Sequence, residues 1–209
     1  MYFWKNLIII LIIAISSSAF AQQTETLYPQ GKTPNERIDF LRNLDNDEQT
    51  SWEDKNKYYL GALEDPSPDV RRFSAYSLRG EIYLPKLINV MATDPDLKVR
   101  QSAALGISHF ITDNGTDNCN SVGPIVKHID EFLLGLKDDS TAEYVLNVLG
   151  SRYAGETPLP CCMPVKEKQI VIKSIENLLI SPPTHSIASY WSNSFIIAAL
   201  NNIKKCAPK

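Results

Sequence analysis

One segment of this chain occurs twice, 29 residues apart. Residues 65–75 read DPSPDVRRFSA and residues 94–104 read DPDLKVRQSAA, so Asp, Pro, Val, Arg and Ala coincide. A fixed period of this length is typical of repeat architectures, where each unit buries its apolar face only against a neighbouring unit. The repeat therefore constrains the fold more than any other feature of the sequence.

Each copy predicts a helix that follows an Asp-Pro turn. The shared pattern D-P-x-x-x-V-R-x-x-x-A places an apolar residue, an arginine and a small residue on successive helical turns. The small residue permits a second helix to approach closely. The residues predicted to face the core are Val70, Phe73, Ala75 and Leu78 in the first copy, and Val99, Ala103, Ala104 and Ile107 in the second.

The rest of the chain is predicted to be helical as well. Thr33-Pro34-Asn35-Glu36 is a capping box that opens a helix over 34–44. No stretch alternates apolar and polar residues for long enough to indicate a strand, so the fold class is all-α. Short connections favour antiparallel hairpins. Four are predicted, over 52–79, 84–111, 124–152 and 164–203.

The two D-P-x-x-x-V-R segments resemble HEAT repeats, in particular the short HEAT-like type found in phycobilin lyases, clearly over 65–79 and 94–108. The resemblance implies a curved α-solenoid over 33–209, with about four hairpins and helix 34–44 as its N-terminal cap. It also implies a ladder of ion pairs between repeats. The ladder positions here are Asp65, Asp69, Arg71, Asp94 and Arg100.

The first 21 residues have the pattern of a secretory signal peptide. Lys5 precedes a nearly unbroken apolar run from Leu7 to Ile15, and Ala19 and Ala21 fit the A-x-A cleavage pattern. A spanning helix needs roughly 20 apolar residues, so this run is too short to anchor the chain. We expect a periplasmic or secreted protein without stable membrane insertion after cleavage, with a flexible polar arm over 22–32.

The four cysteines are predicted to form two disulfides, as is usual in an oxidising compartment. In an antiparallel hairpin the end of the second helix lies beside the start of the first. This geometry predicts the pairs Cys119–Cys161 and Cys162–Cys206. The pairing with Cys161 and Cys162 exchanged is a close rival, because one residue displaces the chain by only about 3.8 Å.

The sequence contains no motif that indicates catalysis. G-x-S-x-G, G-x-G-x-x-G and the P-loop pattern are missing, and none of His109, His128 and His185 lies in H-E-x-x-H. We therefore expect no enzyme, no metal and no cofactor. The net charge of −3 also argues against a nucleic-acid partner.

A binding face is predicted on the second helices of the two clear repeats, which line the concave face in HEAT-type solenoids. Arg72, Tyr76 and Arg79 are spaced as i, i+4 and i+7 on one helix face, and Gln101 and Leu105 occupy the equivalent positions of the next repeat. Tyr and Arg are enriched at binding hot spots. The alternative is that Tyr76 packs into the core and the arginines are only solvated.

The sequence thus favours an exported, non-enzymatic scaffold that binds an unknown protein or peptide. An inhibitor or immunity protein for an exported enzyme is a special case, because a small acidic protein suits a basic target. A lyase of the phycobilin type is the enzymatic alternative. The signal peptide argues against it, because phycobilin lyases act on cytoplasmic proteins.

We predict that export removes residues 1–21 and leaves Gln22 as the first residue, because Ala19 and Ala21 fit the peptidase site. The intact mass of the exported protein measures this directly. A mass that retains residues 1–21 would contradict the prediction.

Overall fold

The computed structural model describes residues 29, 31–113, 119, 122–138, 141–150, 158–181 and 193–206. These residues form ten α-helices and two short 3₁₀ turns, with no strand among them, so the all-α prediction is confirmed. The predicted signal peptide and most of the predicted arm lie outside the described residues. The helices are α1 (Pro34–Asn46), α2 (Trp52–Ala62), α3 (Pro68–Ser77), α4 (Leu84–Thr93), α5 (Leu97–Asp113), α6 (Val122–Lys127), α7 (Ile129–Leu134), α8 (Ala142–Gly150), α9 (Val165–Ile180) and α10 (Asn193–Lys204).

The helix starts follow from local chemistry. The Thr33 hydroxyl accepts the Glu36 backbone N–H at 3.4 Å, and the Glu36 carboxylate accepts the Thr33 backbone N–H at 2.8 Å. This is the predicted capping box. Ser51 caps α2 in the same way by accepting the Asp54 N–H. Each cap satisfies a backbone donor that has no partner inside its helix.

The helices contact one another in two series. One series runs from α1 to α3, then to α5, α8 and α10. The other runs from α4 to α6 and α7, and from α7 to α9. The hairpin partners α4 and α5, and α9 and α10, join the two series, while α2 packs against α1 and α3. The buried core is continuous through both, and the predicted core residues of α3 and α5 belong to it, with Phe73 only partly buried.

A largely buried ion pair connects the first two hairpins. Arg71 of α3 donates from Nε and Nη2 to both carboxylate oxygens of Asp94, at 2.8 and 3.0 Å. Its Nη1 donates to the backbone oxygens of Asp65 and Pro66, which precede α3. The Arg71 and Asp94 side chains are only 13% and 7% exposed. One guanidinium therefore fixes its own hairpin turn and the turn of the next hairpin.

The same arrangement occurs once before and once after this pair. Arg37 of α1 binds both carboxylate oxygens of Asp65 at 2.7 Å. Arg100 of α5 donates from Nε to Asp138 at 2.6 Å and from Nη1 to the Asp94 backbone oxygen. We call these three pairs the ladder. It uses four of the five positions that the resemblance implied, together with Arg37 and Asp138.

The fifth implied ladder position is a correction. Asp69 lies on the surface of α3, where its carboxylate is 3.6 Å from Arg72 of the same helix. Asp69 sits in the first helical turn, three residues before Arg72, so it pairs within its own helix and does not reach a neighbouring hairpin.

Helices α3 and α5 approach each other closely at Gly106. A Cβ atom at Gly106 would lie 2.5 Å from the backbone oxygen of Ala75, so no larger residue fits without movement of the backbone. The sequence pattern indicated this close approach only at the repeated alanines. The structure adds Gly106 as the residue on which the contact depends.

Two predicted helices differ from the observed ones. Helix α3 ends at Ser77 instead of residue 79, because the chain turns away at Leu78 and Gly80 takes a positive φ of 119°. The predicted helix over 124–137 is interrupted at His128, whose N–H bonds to the oxygen of Ile125, three residues back, instead of four.

All four cysteines form disulfides, but the pairing predicted first was wrong, and the bonds are those of the rival pairing with Cys161 and Cys162 exchanged. The bonds are Cys119–Cys162 and Cys161–Cys206, with Cα–Cα distances of 5.1 and 5.3 Å. Cys161 and Cys162 lie in the 3₁₀ turn Leu159–Cys162. Successive side chains of a 3₁₀ turn point about 120° apart. This turn, which the sequence pattern did not indicate, determines which neighbour each cysteine faces.

We predict that partial reduction with alkylation at low pH, followed by tandem mass spectrometry, recovers the pairs Cys119–Cys162 and Cys161–Cys206. Low pH suppresses exchange, because the thiolate is the attacking species. A labelling pattern in which Cys119 and Cys161 are released together would instead support the pairing first predicted from the sequence. Four free thiols would contradict both.

We predict that Asp94→Ala lowers the free energy of unfolding by about 3–5 kcal/mol, because it leaves the Arg71 charge buried without a partner. Asp39→Ala is the matched control. It removes an exposed pair with Arg42 and should cost about 0.5 kcal/mol or less. Urea denaturation followed by circular dichroism measures both. If both variants lose the same free energy of unfolding, the ladder pair contributes no more to stability than an exposed ion pair.

Candidate functional site

Tyr76 lies on the outer side of α3 with 40% of its surface exposed. Its neighbours Ser74, Ala75 and Ser77 are buried, so the helix faces the core on both sides of this residue. The alternative in which Tyr76 packs into the core is therefore not what the structure shows. An exposed tyrosine on a rigid helix is a suitable contact residue, because its ring offers a large area at low entropic cost.

Arg79 contacts Tyr76 from beyond the end of the helix. Its guanidinium carbon lies 5.5 Å from the centre of the Tyr76 ring, within the range of a cation–π contact. Its Nη1 donates to the backbone oxygen of Tyr76, and to that of Leu78 at 3.3 Å. The prediction placed Arg79 on the α3 helix face. The helix ends earlier, yet the guanidinium still reaches the tyrosine.

The backbone of Arg79 is held by a buried asparagine of α2. The Asn56 side-chain amide donates to the Arg79 backbone oxygen at 2.6 Å, and its oxygen accepts the Arg79 N–H at 3.0 Å. Asn56 is only 5% exposed. The turn that follows α3 is therefore fixed to α2. Sequence reasoning missed Asn56, because no local pattern marks a side chain that pairs with backbone 23 residues away.

His109 of α5 completes the cluster. Its ring meets Tyr76 edge-on, with the centroids 5.6 Å apart and the planes at 70°. The contact follows from the close approach of α3 and α5 at Gly106, one helical turn before His109. The sequence spacing could have identified His109, because it lies four residues after Leu105 on the predicted binding face of this helix. We call Tyr76, Arg79 and His109 the Tyr76 cluster.

The other predicted binding residues lie around this cluster. Arg72 is exposed one turn before Tyr76 on α3 and pairs with Asp69. Gln101 and Leu105 are half-buried on α5, at positions two turns and one turn before His109. The structure thus brings Tyr76 and Arg79 together with a histidine. It places Arg72, Gln101 and Leu105 on the two helices that carry them.

Asp45, near the end of α1, already has hydrogen-bond partners on α2. The Tyr59 hydroxyl donates to the Asp45 carboxylate at 3.0 Å. Burial, followed by this hydrogen bond, raises the pKa of Tyr59 above its ordinary value, so the hydroxyl stays protonated and keeps donating. The backbone oxygen of Asp45 accepts from Lys55 at 2.8 Å.

A second concave region lies at the ladder, with a volume of about 330 Å³. It is lined by Asn89 and Thr93 and by two ion pairs, Arg71–Asp94 and Lys86–Glu64. The charges in this cleft therefore already have partners, and the Tyr76 cluster is the stronger candidate.

Candidate metal sites and membrane spans are both missing from the described ranges. No group of three or more His, Cys, Asp or Glu side chains is placed to hold a metal ion there. None of the helices in those ranges has the length and apolar content that a membrane span requires.

Comparison of the chain with protein-family models, with curated proteins and with solved structures gave no match. The fold and the site together define an all-helical, disulfide-linked protein with an exposed aromatic and basic cluster. The resemblance to HEAT repeats rests on the repeated motif.

Proposed function

We propose that this protein is an exported HEAT-like α-solenoid that binds a protein or peptide through the Tyr76 cluster. The two series of helix contacts and the repeated ladder support the solenoid, in which stacked hairpins present an extended surface. The two disulfides support export, because such bonds persist in oxidising compartments.

The observation that carries the binding proposal is the exposure of Tyr76 beside two partners that contact its ring. These are Arg79 and His109, and Asn56 fixes the turn that bears Arg79. Binding to a surface that is already ordered costs less side-chain entropy than binding to a mobile one. Tyr and Arg are also the residue types that dominate measured binding energies.

The partner we propose is a protein or peptide outside the cytoplasm. An exported enzyme inhibited by this protein is one such partner. The ordered surface of the Tyr76 cluster supports that case, because tight inhibitor complexes change little in backbone on binding.

We predict that Tyr76→Ala changes the free energy of unfolding by about 1 kcal/mol or less, because the residue is largely a surface residue. It should weaken binding of the partner by about 2 kcal/mol or more, which is roughly 30-fold in Kd. The partner is first captured from the exported fraction with the wild-type protein, and Kd is then measured with purified components.

Ile180→Ala is the matched control, since Ile180 is an exposed apolar residue on α9, far from the cluster in the chain. It should leave Kd unchanged. If Tyr76→Ala lowers the melting temperature strongly and leaves Kd unchanged, Tyr76 is a structural residue and the proposed site is wrong.

A further inference from the structure

Arg79 differs from the other arginines in its ion pairing. Five of the six arginines that the structure describes pair with an aspartate, whereas Arg79 pairs with no carboxylate among the described residues. The five pairs are Arg37–Asp65, Arg42–Asp39, Arg71–Asp94, Arg72–Asp69 and Arg100–Asp138.

Arg79 nevertheless makes one of the two sets of contacts that a ladder arginine makes. In Arg71, Nη1 donates to two backbone oxygens, and the edge formed by Nε and Nη2 grips both oxygens of a carboxylate. In Arg79, Nη1 likewise donates to two backbone oxygens, those of Tyr76 and Leu78. Its Nε and Nη2 have no acceptor among the described residues.

The acidic residues near Arg79 in sequence or space do not fill this edge. The Asp45 carboxylate accepts the Tyr59 hydroxyl, and Asp69 pairs with Arg72. Glu81, two residues after Arg79, is exposed and forms no ion pair with it. None of the described residues therefore supplies a carboxylate to this edge of Arg79.

We infer that the Tyr76 cluster selects a partner segment that carries an aspartate or glutamate beside an apolar residue. The carboxylate binds the Nε and Nη2 edge of Arg79 as a bidentate pair, which is the strong and directional form of this contact. The apolar neighbour packs on the exposed face of Tyr76. This inference rests on the proposed function, because it names the chemistry of the segment that the same site binds.

The test is selection from a phage-displayed library of random peptides, which does not require the natural partner. The wild-type protein, Arg79→Gln and the control Arg42→Gln are used in parallel. Arg42 is an exposed arginine in an ordinary surface pair. The wild-type protein and the control should enrich peptides with Asp or Glu beside an apolar residue. Arg79→Gln should lose the acidic preference.

The best wild-type peptide is then synthesised in its acidic form and with Asp→Asn or Glu→Gln. Loss of the carboxylate should weaken binding by about 10- to 100-fold. Arg79→Gln should weaken the acidic peptide by a similar factor and leave the amide peptide nearly unchanged, because the two changes remove one contact. Arg79→Lys keeps the charge without the planar fork. Its affinity for the acidic peptide should therefore lie between those of the wild-type protein and Arg79→Gln.

Circular dichroism melting of each variant separates misfolding from lost binding. The inference is overturned if the enriched peptides show no preference for Asp or Glu, or if that preference survives Arg79→Gln in a folded protein. Either result leaves the proposed function standing. If no peptide is enriched by the wild-type protein, the proposed function fails, and this inference fails with it.

Discussion

Arg71 reaches from the second helix of one hairpin to Asp94 in the turn of the next, and the order of the first helices depends on this contact. Removing both charges from water is costly, and the cost is offset only when the hydrogen-bonding capacity of both groups is filled. Here it is largely filled: the guanidinium binds both carboxylate oxygens and two backbone oxygens, and Asp94 also accepts the Asp96 N–H. The hydrogen bond to Asp94 raises the pKa of Arg71 further above neutral pH. Such a pair adds little net free energy compared with an apolar contact, so the apolar core stabilises the fold while the ladder fixes which turn meets which helix.

The position of the Tyr76 cluster follows from the way the ladder aligns neighbouring hairpins. With the turn before α5 fixed to α3, the two helices pack against each other, and they approach closely where Gly106 meets the backbone of Ala75. The next residue on α3 is Tyr76, and the next turn of α5 carries His109. The burial of Ala75 and the exposure of Tyr76 are thus two results of one helix crossing. On the other side of the hairpin, Asn56 of α2 holds the turn at Arg79 that follows α3.

The sequence predicted the part of the structure that the repeat encodes. The helices α3 and α5, their buried apolar residues and the pairing residues Arg71 and Asp94 all lie inside the repeated motif. The ladder partners Arg37 and Asp138 were missed, because their pairs span 28 and 38 residues and neither belongs to a copy of the motif. The end of α3 was placed too late, since helical spacing alone does not show where Leu78 leaves the helix. The predicted cysteine pairing exchanged Cys161 with its neighbour Cys162, because the 3₁₀ turn that orients them left no clear signal in the sequence.

The arginines of this protein show how one side chain serves two purposes according to what surrounds it. Where the partner carboxylate belongs to the same chain, as for Arg37 and Arg71, the guanidinium is largely buried and contributes to the fold. Arg79 also donates to backbone oxygens, but it is only partly buried and its Nε and Nη2 edge has no acceptor among the described residues. In our proposal, a partner that supplies a carboxylate forms two hydrogen bonds with a group that is already oriented, so little ordering cost remains. Because the chain as a whole is acidic, an arginine without an acidic partner among the described residues is an exception here. For that reason, and because it lies beside the exposed Tyr76, we propose Arg79 as the residue that binds an acidic partner.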